Sequence, residues 1–472
     1  MAPVKRSIKE MVDFLFPNST LKPTFEEMGQ RFDLSVYKNV FDLIENGFKT
    51  IFISGKAGTG KSTLIDCIRL KYKQELNIVV LAPTGVAALN IEGQTIHSFF
   101  KFGFGPLNPE DYAIEVSKRE LYRKIDVLVI DEISMVRADI LDSIEAFLRV
   151  NGPKKGEKFG GVQLVMVGDL FQLPPVTIDA DVRDIFSPGG KWKCPYFFGA
   201  HSLEDVGDFK YIELDHIFRQ TNREFINVLS DVRKGQNIQR TLNFLNERCC
   251  YDQQFERALI LTTNNKNADR TNQHKLESLE GKSYLAAGTY SGVFKKKNRH
   301  TLPAPYELRL KVGAQVMFVK NDPQRRWVNG TIGIVKFIEH GSVTLEVLKN
   351  GIPHMYDVQP AVWKLKKYTY DYETDTIKDK IIGTYKQYPL MLAWSVTIHK
   401  SQGKTLDEVI IDMDFGSFAC GQLYVALSRA TSLEGIYLQR PLRDEDLLCD
   451  QKIIQFYQML NKDFDSINTA PL

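Results

Sequence analysis

The sequence predicts an α/β protein with two domains that each hold a parallel sheet, and three observations indicate this fold. Short apolar runs alternate with helical segments up to residue 210, as in parallel sheets covered by helices on both faces. The same alternation returns after Tyr211. Short alternating strands at 300–385 interrupt it and predict a small antiparallel β module inserted into the second domain.

The first domain begins with a helix at Leu34–Glu45, because Val36, Val40 and Ile44 recur at helical spacing and Asn46-Gly47 ends the pattern. Buried strands are expected where short runs of β-branched and apolar residues carry no charge. Helices are expected where the apolar spacing between these strands changes to that of a helix. The strands are Thr50–Ser54, Ile78–Ala82, Val127–Ile130 and Val162–Val167, and the helices are Ser62–Lys73 and Met135–Val150.

Residues 99–120 break this alternation and predict a hairpin-like excursion from the first sheet. Phenylalanine, glycine and proline lie close together there, at Phe99, Phe100, Phe102, Gly103, Phe104, Gly105, Pro106 and Pro109. The second domain and its module contain strands bounded by turn residues. These strands are Leu259–Thr262, Leu308–Leu310, Ala314–Val319, Thr331–Phe337, Ser342–Val347 and Val409–Met413.

These elements divide the chain into five parts. The parts are an N-terminal arm (1–33), a first α/β domain (34–98 and 121–210), its excursion (99–120), a second α/β domain (211–299 and 386–472) and the β module (300–385).

Composition excludes several classes of protein. Lys and Arg number 61 against 58 for Asp and Glu, and this net charge of +3 does not by itself indicate nucleic-acid binding. The basic runs Lys295–His300 and Lys364–Lys367 are either solvated faces or parts of a groove that binds DNA.

Six cysteines without C-x-x-C spacing predict free thiols. No apolar run approaches the roughly 18 residues of a membrane span. We expect a cytoplasmic protein, or a nuclear or mitochondrial one in a eukaryote.

The segment Gly55–Ser62 matches G-x-x-x-x-G-K-S and lies between a predicted strand and a predicted helix, which is the context that a phosphate-binding loop requires. Its glycines let backbone N–H groups point at phosphate oxygens, and the helix N-terminus favours negative charge. Lys61 is expected to reach the β- and γ-phosphates of ATP, and Ser62 to bind Mg²⁺. The expected nucleotide contacts are Gly55, Ala57, Gly58, Thr59, Gly60, Lys61, Ser62 and Thr63.

Two further segments follow buried strands. Asp131 and Glu132 end the run Leu128–Ile130, and we expect Asp131 to hold Mg²⁺ and Glu132 to polarise the attacking water. Taken alone, the pair is equally typical of an acidic helix N-terminus. Gln172 lies on a proline-flanked loop, from which it can sense the γ-phosphate.

The order of these motifs resembles the superfamily-one helicases, specifically the Pif and RecD-like group, which moves 5′ to 3′ on single-stranded DNA. The resemblance covers roughly residues 34–440. The segments that carry it are Gly55–Ser62, Ala82–Ala88, Asp131–Met135, Gly168–Pro175, Phe218–Gln220, Thr397–Gly403 and Tyr424–Arg429. It implies two RecA-like domains, a wedge hairpin at 99–120, an SH3-like module at 300–385, and a protein that is monomeric in solution.

The resemblance also implies roles for single residues. Arg219 and Arg429 are expected to act as arginine fingers on the γ-phosphate, a role worth ~10³–10⁵ in rate. Gly403 is implied as a further nucleotide contact. Members of the group read adenine with a glutamine in the first helix. Leu34–Lys38 holds none, so Gln30 is the substitute and strict preference for ATP is an open question.

The expected DNA track has little sequence preference, because backbone N–H groups, hydroxyls and cationic side chains hold phosphates without reading bases. The expected contacts are Pro83, Thr84, Gly85, Thr95, His97, Phe99, Thr397, His399, Lys400 and Ser401. The expected partners are single-stranded, tailed-duplex and forked DNA, and G-quadruplexes, which members of the group often unfold. The alternatives are a translocase that displaces bound protein with little unwinding and a slow, nucleotide-switched DNA-binding module.

Overall fold

A computed structural model describes Phe25 and residues 34–117, 119–177, 179–204, 207–249, 257–296, 302–324, 326–339, 342–349 and 351–468. Apart from Phe25, the predicted arm at 1–33 lies outside these residues. None of the helices in the described part is long and apolar enough to cross a membrane.

Strands and helices alternate through most of the described chain. The strands are β1 (Thr50–Gly55), β2 (Ile78–Ala82), β3 (Gln94–Thr95), β4 (Val127–Ile130), β5 (Gln163–Gly168), β6 (Phe209–Leu214), β7 (Leu259–Thr262), β8 (Tyr284–Ala287), β9 (Thr289–Gly292), β10 (Glu307–Leu310), β11 (Gln315–Phe318), β12 (Ile332–Glu339), β13 (Ser342–Lys349), β14 (Ile352–Val358), β15 (Ala361–Asp371), β16 (Thr376–Gln387), β17 (Leu390–Leu392), β18 (Ser395–Thr397), β19 (Val409–Asp412) and β20 (Ile436–Leu438). The helices are α1 (Lys38–Glu45), α2 (Lys61–Lys71), α3 (Gly85–Asn90), α4 (Ile96–Phe100), α5 (Glu120–Arg123), α6 (Ala138–Asn151), α7 (Ala180–Asp184), α8 (Arg223–Lys234), α9 (Ile238–Arg248), α10 (Asn265–Ser278), α11 (Ile398–Ser401), α12 (Gln422–Leu427) and α13 (Gln451–Asn468).

The chain forms two compact units. The first unit comprises the described parts of Thr24–His216, Lys366–Ile381 and Asp450–Leu472, and the second comprises those of Ile217–Leu365 and Ile382–Cys449. The predicted boundaries differ in three places. Residues 211–216 and 450–468, predicted in the second α/β domain, and 366–381, predicted in the β module, all group with the first unit.

The first unit is built on a six-stranded sheet in the order β3-β2-β4-β5-β1-β6, with every neighbouring pair parallel. Strands β1, β4 and β5 are buried along their whole length, as expected for a sheet covered on both faces. The predicted helix at Leu34–Glu45 is confirmed, although its first turn, Leu34–Tyr37, is a 3₁₀-helix.

The segment after α4 is a loop that polar side chains of α6 hold in place. Buried Asp139 accepts a hydrogen bond from the backbone N–H of Leu107 at 2.9 Å, and the Asn151 side chain accepts one from that of Val116, also at 2.9 Å. Among its described residues, 101–117 and 119, there is one 3₁₀ turn at Pro109–Tyr112 and no strand. The predicted excursion from the sheet is confirmed, and α6 side chains rather than a β-ladder pair part of the backbone of its described residues.

The second unit combines a parallel sheet with an antiparallel module, as predicted. Strands β18-β7-β19-β20 form the parallel sheet, and β14-β13-β12-β11-β17 form a five-stranded antiparallel sheet. The module has its own core, which includes Phe318 stacked on Trp327 with ring centroids 4.2 Å apart. The mixed α/β fold class is confirmed.

Candidate functional site

The nucleotide site is positioned by three neighbouring strands of the first sheet. Strands β4, β5 and β1 are adjacent and parallel, so their carboxyl ends meet at one edge. The glycine loop follows β1, Asp131 and Glu132 follow β4, and the loop that carries Gln172 follows β5. The structure therefore brings together three predicted motifs that lie far apart in the sequence.

Tight backbone geometry shapes the glycine loop. A Cβ atom on Gly55 would lie 2.4 Å from the Thr59 hydroxyl, so this position accepts only glycine without a local shift. Gly60 begins helix α2 at φ 80°, in the left-handed region that favours glycine. The Lys61 ammonium donates to the carbonyl oxygens of Gly55 at 2.6 Å and Lys56 at 3.0 Å. The Lys61 side chain therefore lies against the glycine loop, where it is predicted to bind the phosphates of ATP.

Tyr37 supports this loop and was not predicted as a site residue. Its side chain is buried, and its hydroxyl donates to the carbonyl oxygen of Gly60 at 3.1 Å. Burial raises the pKa of this phenol, so it remains a donor. One sequence signal places it on the buried face, since Tyr37, Val40, Phe41 and Ile44 recur at helical spacing. Gln30, the predicted substitute for the adenine-reading glutamine, lies outside the described residues.

In the acidic pair, Asp131 is buried and Glu132 has a strained backbone. Glu132 has φ 50° and ψ 46°, a left-handed conformation that is uncommon outside glycine and that clusters at functional sites. Burial, and then the charge of Glu132, raise the pKa of Asp131, whereas Lys61 and Arg69 act in the opposite direction. Removal from water therefore disfavours the charged form of Asp131, and the neighbouring Glu132 carboxylate adds to this effect.

Two neighbouring carboxylates, one of them desolvated, fit a hard divalent cation with oxygen ligands, because the cation would stabilise their charged forms. Within the part of the chain that the structure describes, no three His, Cys, Asp or Glu side chains gather as an all-protein metal site. Magnesium is usually bound through one or two carboxylates together with water and substrate phosphates, so a larger cluster is not required.

The sensor loop is organised by a buried carboxylate. Asp169 is fully buried, and its side chain accepts hydrogen bonds from the Phe171 backbone N–H and from the Gln172 side-chain amide, both at 3.3 Å. Its backbone carbonyl also accepts from the Gln172 N–H at 3.0 Å. Gln172 itself is buried, so its amide is held in a defined position rather than in solvent.

The two predicted arginine fingers are close neighbours within the second unit. Arg219 donates to the Thr405 hydroxyl at 3.1 Å and to the Ser428 carbonyl oxygen at 2.9 Å. Desolvation, and then the charge of Arg429, lower the pKa of Arg219 to about 9, which leaves it charged at neutral pH. Arg429 is buried and donates to the Val425 carbonyl oxygen at 2.9 Å. The pair concentrates positive charge at one place in the second unit.

The same short motif recurs in each unit. Thr95-Ile96-His97 opens α4 and Thr397-Ile398-His399 opens α11, and each threonine hydroxyl caps its helix by accepting from the backbone N–H three residues later. Thr84 caps α3 in the same way, between Pro83 and Gly85. These caps fix the turns from which the histidines project.

An exposed phenylalanine lies on the ring of each histidine. Phe104 stacks on His97 with centroids 5.8 Å apart and planes 16° apart, and Phe418 stacks on His399 at 5.9 Å and 10°. Phe104 is 96% exposed and Phe418 is 63% exposed. Burial is the first cause that lowers the pKa of both histidines, so the rings are neutral at physiological pH.

Three predicted DNA contacts have side chains that are turned inward, so at these positions the backbone would have to make the predicted contact. Phe99 is buried against Phe100 and Tyr122, and Thr397 and Ser401 are buried and form local hydrogen bonds. His399 and Lys400 are exposed, and His97 and Thr95 are half-buried. Gly403 is exposed at φ 77°, a conformation that permits the turn after α11. Phe104 and Phe418 were not predicted as DNA contacts, because sequence spacing alone does not show which aromatic side chains face solvent.

Comparisons with protein families and curated proteins identify relatives of this chain. The model described as PIF1-like helicase matches residues 33–242, and that described as DNA helicase Pif1, 2B domain, matches residues 294–337. ATP-dependent DNA helicase Pif1 of Bdellovibrio bacteriovorus is 33% identical over 431 residues, covering 89% of this chain and 90% of the relative. ATP-dependent DNA helicase PIF1 of Danio rerio is 35% identical, and the match covers 88% of this chain but only 62% of that longer protein.

Solved structures give the same result. Unliganded Pif1 from Bacteroides sp has a TM-score of 0.79 and 36% identity, with 90% of this chain and 96% of that chain covered. Bacteroides sp Pif1 in complex with ADP-AlF4 has a TM-score of 0.81 and 36% identity, with 92% and 98% covered. Pif1 helicase from Candida albicans has a TM-score of 0.66 and 30% identity, with 90% and 98% covered.

Replacing Tyr37 with phenylalanine tests its support of the glycine loop. Loss of the hydrogen bond to Gly60 is expected to raise the KM for ATP by about 2- to 10-fold, the range that one buried hydrogen bond supports. We expect kcat to change little, because the phenol does not touch Glu132 or Gln172. The measurement is steady-state ATP hydrolysis with saturating DNA. Exposed Tyr372→Phe is the matched control, and an unchanged KM in Tyr37→Phe would contradict this role.

Proposed function

Because the chain belongs to the Pif1-like helicase family and is therefore an ATP-dependent DNA helicase, we propose that it moves 5′ to 3′ along single-stranded DNA and separates the duplex ahead of it. One observation carries the motor assignment: the glycine loop, the acidic pair and Gln172 converge at one edge of the first sheet. The proposed direction of movement rests on the motif order described above.

The proposed chemistry is hydrolysis of ATP held by Gly55–Thr63. Lys61 exchanges its loop carbonyl partners for the β- and γ-phosphates, and Ser62 and Asp131 hold Mg²⁺. The cation supplies charge neutralisation for the leaving phosphate. Glu132 orients and deprotonates the attacking water, and its strained backbone fixes where the carboxylate points. Gln172, held by Asp169, responds to the γ-phosphate.

Arg219 and Arg429 are proposed to stabilise the negative charge that develops on the transferring phosphoryl group. Support comes from the position of the two side chains, because the charge of Arg429 lowers the pKa of Arg219 and an anionic partner would relieve this repulsion. Arg219 donates to the Thr405 hydroxyl and the Ser428 carbonyl oxygen, so an approaching phosphate would compete with these neutral acceptors. A charged acceptor gives the stronger hydrogen bond.

DNA contacts are proposed at the capped turns of α3 and α4 in the first unit and at the capped turn of α11 in the second unit. Backbone and hydroxyl groups there, with Lys400, hold phosphates, while the stacked pairs His97–Phe104 and His399–Phe418 offer faces to bases. The loop that carries Phe104 is proposed as the wedge in place of a hairpin, and the β module of the second unit as an SH3-like part that helps to enclose the strand. Bacteroides Pif1 has been solved bound to single-stranded DNA, and another related structure concerns the unwinding of forked duplex DNA by two coordinating Pif1 helicases.

Strand separation on partial duplexes tests the proposal. With ATP and Mg²⁺, we expect unwinding of a duplex with a 5′ tail and none of one with a 3′ tail, and Lys61→Ala is expected to abolish both unwinding and ATP hydrolysis. Unwinding from the 3′ tail would contradict the proposed direction. DNA-stimulated ATP hydrolysis without unwinding from either tail would favour the alternative translocase.

Substitution of the exposed phenylalanines tests the DNA surface. Phe104→Ala and Phe418→Ala are each expected to weaken binding of single-stranded oligonucleotide by about 5- to 100-fold, since stacking one base is worth ~1–3 kcal/mol. Phe415 is 95% exposed on the same loop as Phe418, and Phe415→Ala serves as the matched control with unchanged affinity. Fluorescence anisotropy with labelled DNA measures all three. An equal loss of affinity in Phe415→Ala would show that DNA binding depends on exposed phenylalanine in general and not on the stack on histidine.

A further inference from the structure

The last helix of the described chain brings one side chain into contact with the nucleotide-binding sheet. Helix α13 groups with the first unit, and its Tyr457 is buried. The phenol hydroxyl shares a hydrogen bond of 2.6 Å with the Ser54 hydroxyl, and the ring stacks on Phe171 with centroids 5.1 Å apart and planes only 8° apart. No motif of the sequence pointed to this tyrosine.

The two partners of Tyr457 adjoin two different parts of the nucleotide site. Ser54 is fully buried near the end of β1 and immediately precedes Gly55, where the phosphate-binding loop begins. Phe171 immediately precedes Gln172, and the Asp169 carboxylate holds its backbone N–H. One side chain therefore connects the start of the phosphate loop with the loop that carries the sensor.

A separate set of contacts holds α13 on the unit. Phe456 stacks on Phe198 with centroids 4.3 Å apart and planes 11° apart, and the Tyr196 hydroxyl donates to the Asp450 carboxylate at 2.8 Å. No contact joins Phe456 to Ser54 or to Phe171 among the ring contacts and hydrogen bonds described. Both rings also contact Phe52 of β1, and Tyr457 contacts Tyr211, so both residues contribute to docking. The contacts with Ser54 and Phe171 belong to Tyr457, so a variant of Phe456 measures the effect of weakened docking with those contacts in place.

We propose that Tyr457 is a positioning residue for ATP hydrolysis, which fixes the phosphate-binding loop and the Gln172 loop relative to each other. This inference rests on the proposed function of those loops. The hydrogen bond restrains the end of β1, and the ring restrains the sensor loop from the other side. Since a displacement of about 1 Å at reacting groups lowers a rate by roughly 10²-fold, a contact that touches no substrate can still control turnover.

The test combines a double-mutant cycle with a docking control. Tyr457→Phe keeps the stack and removes the hydrogen bond, Ser54→Ala removes the same bond from the other side, and Tyr457→Ala removes both contacts. Phe456→Leu weakens the docking of the helix alone. For each protein, kcat and KM for ATP are measured with saturating single-stranded DNA, and thermal unfolding is recorded alongside.

The proposal predicts a loss in kcat with KM nearly unchanged. Tyr457→Phe and Ser54→Ala are each expected to lower kcat by about 2- to 10-fold, and the double variant no further, because both remove one hydrogen bond. Tyr457→Ala is expected to lower kcat by roughly 10²-fold. Phe456→Leu is expected to unfold at a lower temperature with the parent kcat.

Two results would overturn the role of Tyr457. One is a kcat for Tyr457→Ala within about twofold of the parent, and the other is an equal loss in Phe456→Leu, which would indicate helix docking alone. A parent protein that hydrolyses no ATP would instead contradict the proposed function itself. An active parent with an equally active Tyr457→Ala contradicts only this inference.

Discussion

The candidate site depends on one constraint of parallel sheets, which is that the carboxyl ends of neighbouring strands meet at a single edge. Strands β4, β5 and β1 are adjacent, buried and uncharged, so the segments that follow them lie next to one another at this edge. Each segment then carries its own local device: a glycine loop after β1, a strained glutamate after β4, and a carboxylate-held glutamine after β5. The sheet supplies proximity, and these devices supply orientation.

The two units present a histidine in the same structural arrangement. In both, a short strand ends in threonine, the threonine hydroxyl caps the helix that follows, and a histidine in the first turn carries a stacked phenylalanine. Partial burial keeps both imidazoles neutral, so the paired rings present aromatic faces rather than charges. Such faces suit any base, which agrees with a track of little sequence preference.

Most of the fold and the core of the nucleotide site could be predicted from sequence, because both depend on local patterns. Short apolar runs without charge predicted the buried strands, and the motif Gly55–Ser62 occurs in a fixed strand–loop–helix context. The packing of the loop after α4 could not be predicted, since its backbone partners include the side chains of Asp139 and Asn151, distant in sequence. Tyr457 escaped prediction for the same reason. Helical spacing places Tyr37 on a buried face, but it does not show the contact with Gly60.

The most direct test of the central claim, that the converging segments form one hydrolytic site, is a comparison of ATP binding and ATP turnover in Glu132→Gln. We expect a nucleotide affinity close to that of the parent, because the glycine loop and Lys61 are intact, together with a loss of roughly 10²–10⁴-fold in DNA-stimulated turnover, the usual contribution of a general base. Turnover within about tenfold of the parent would show that Glu132 is not the group that activates water.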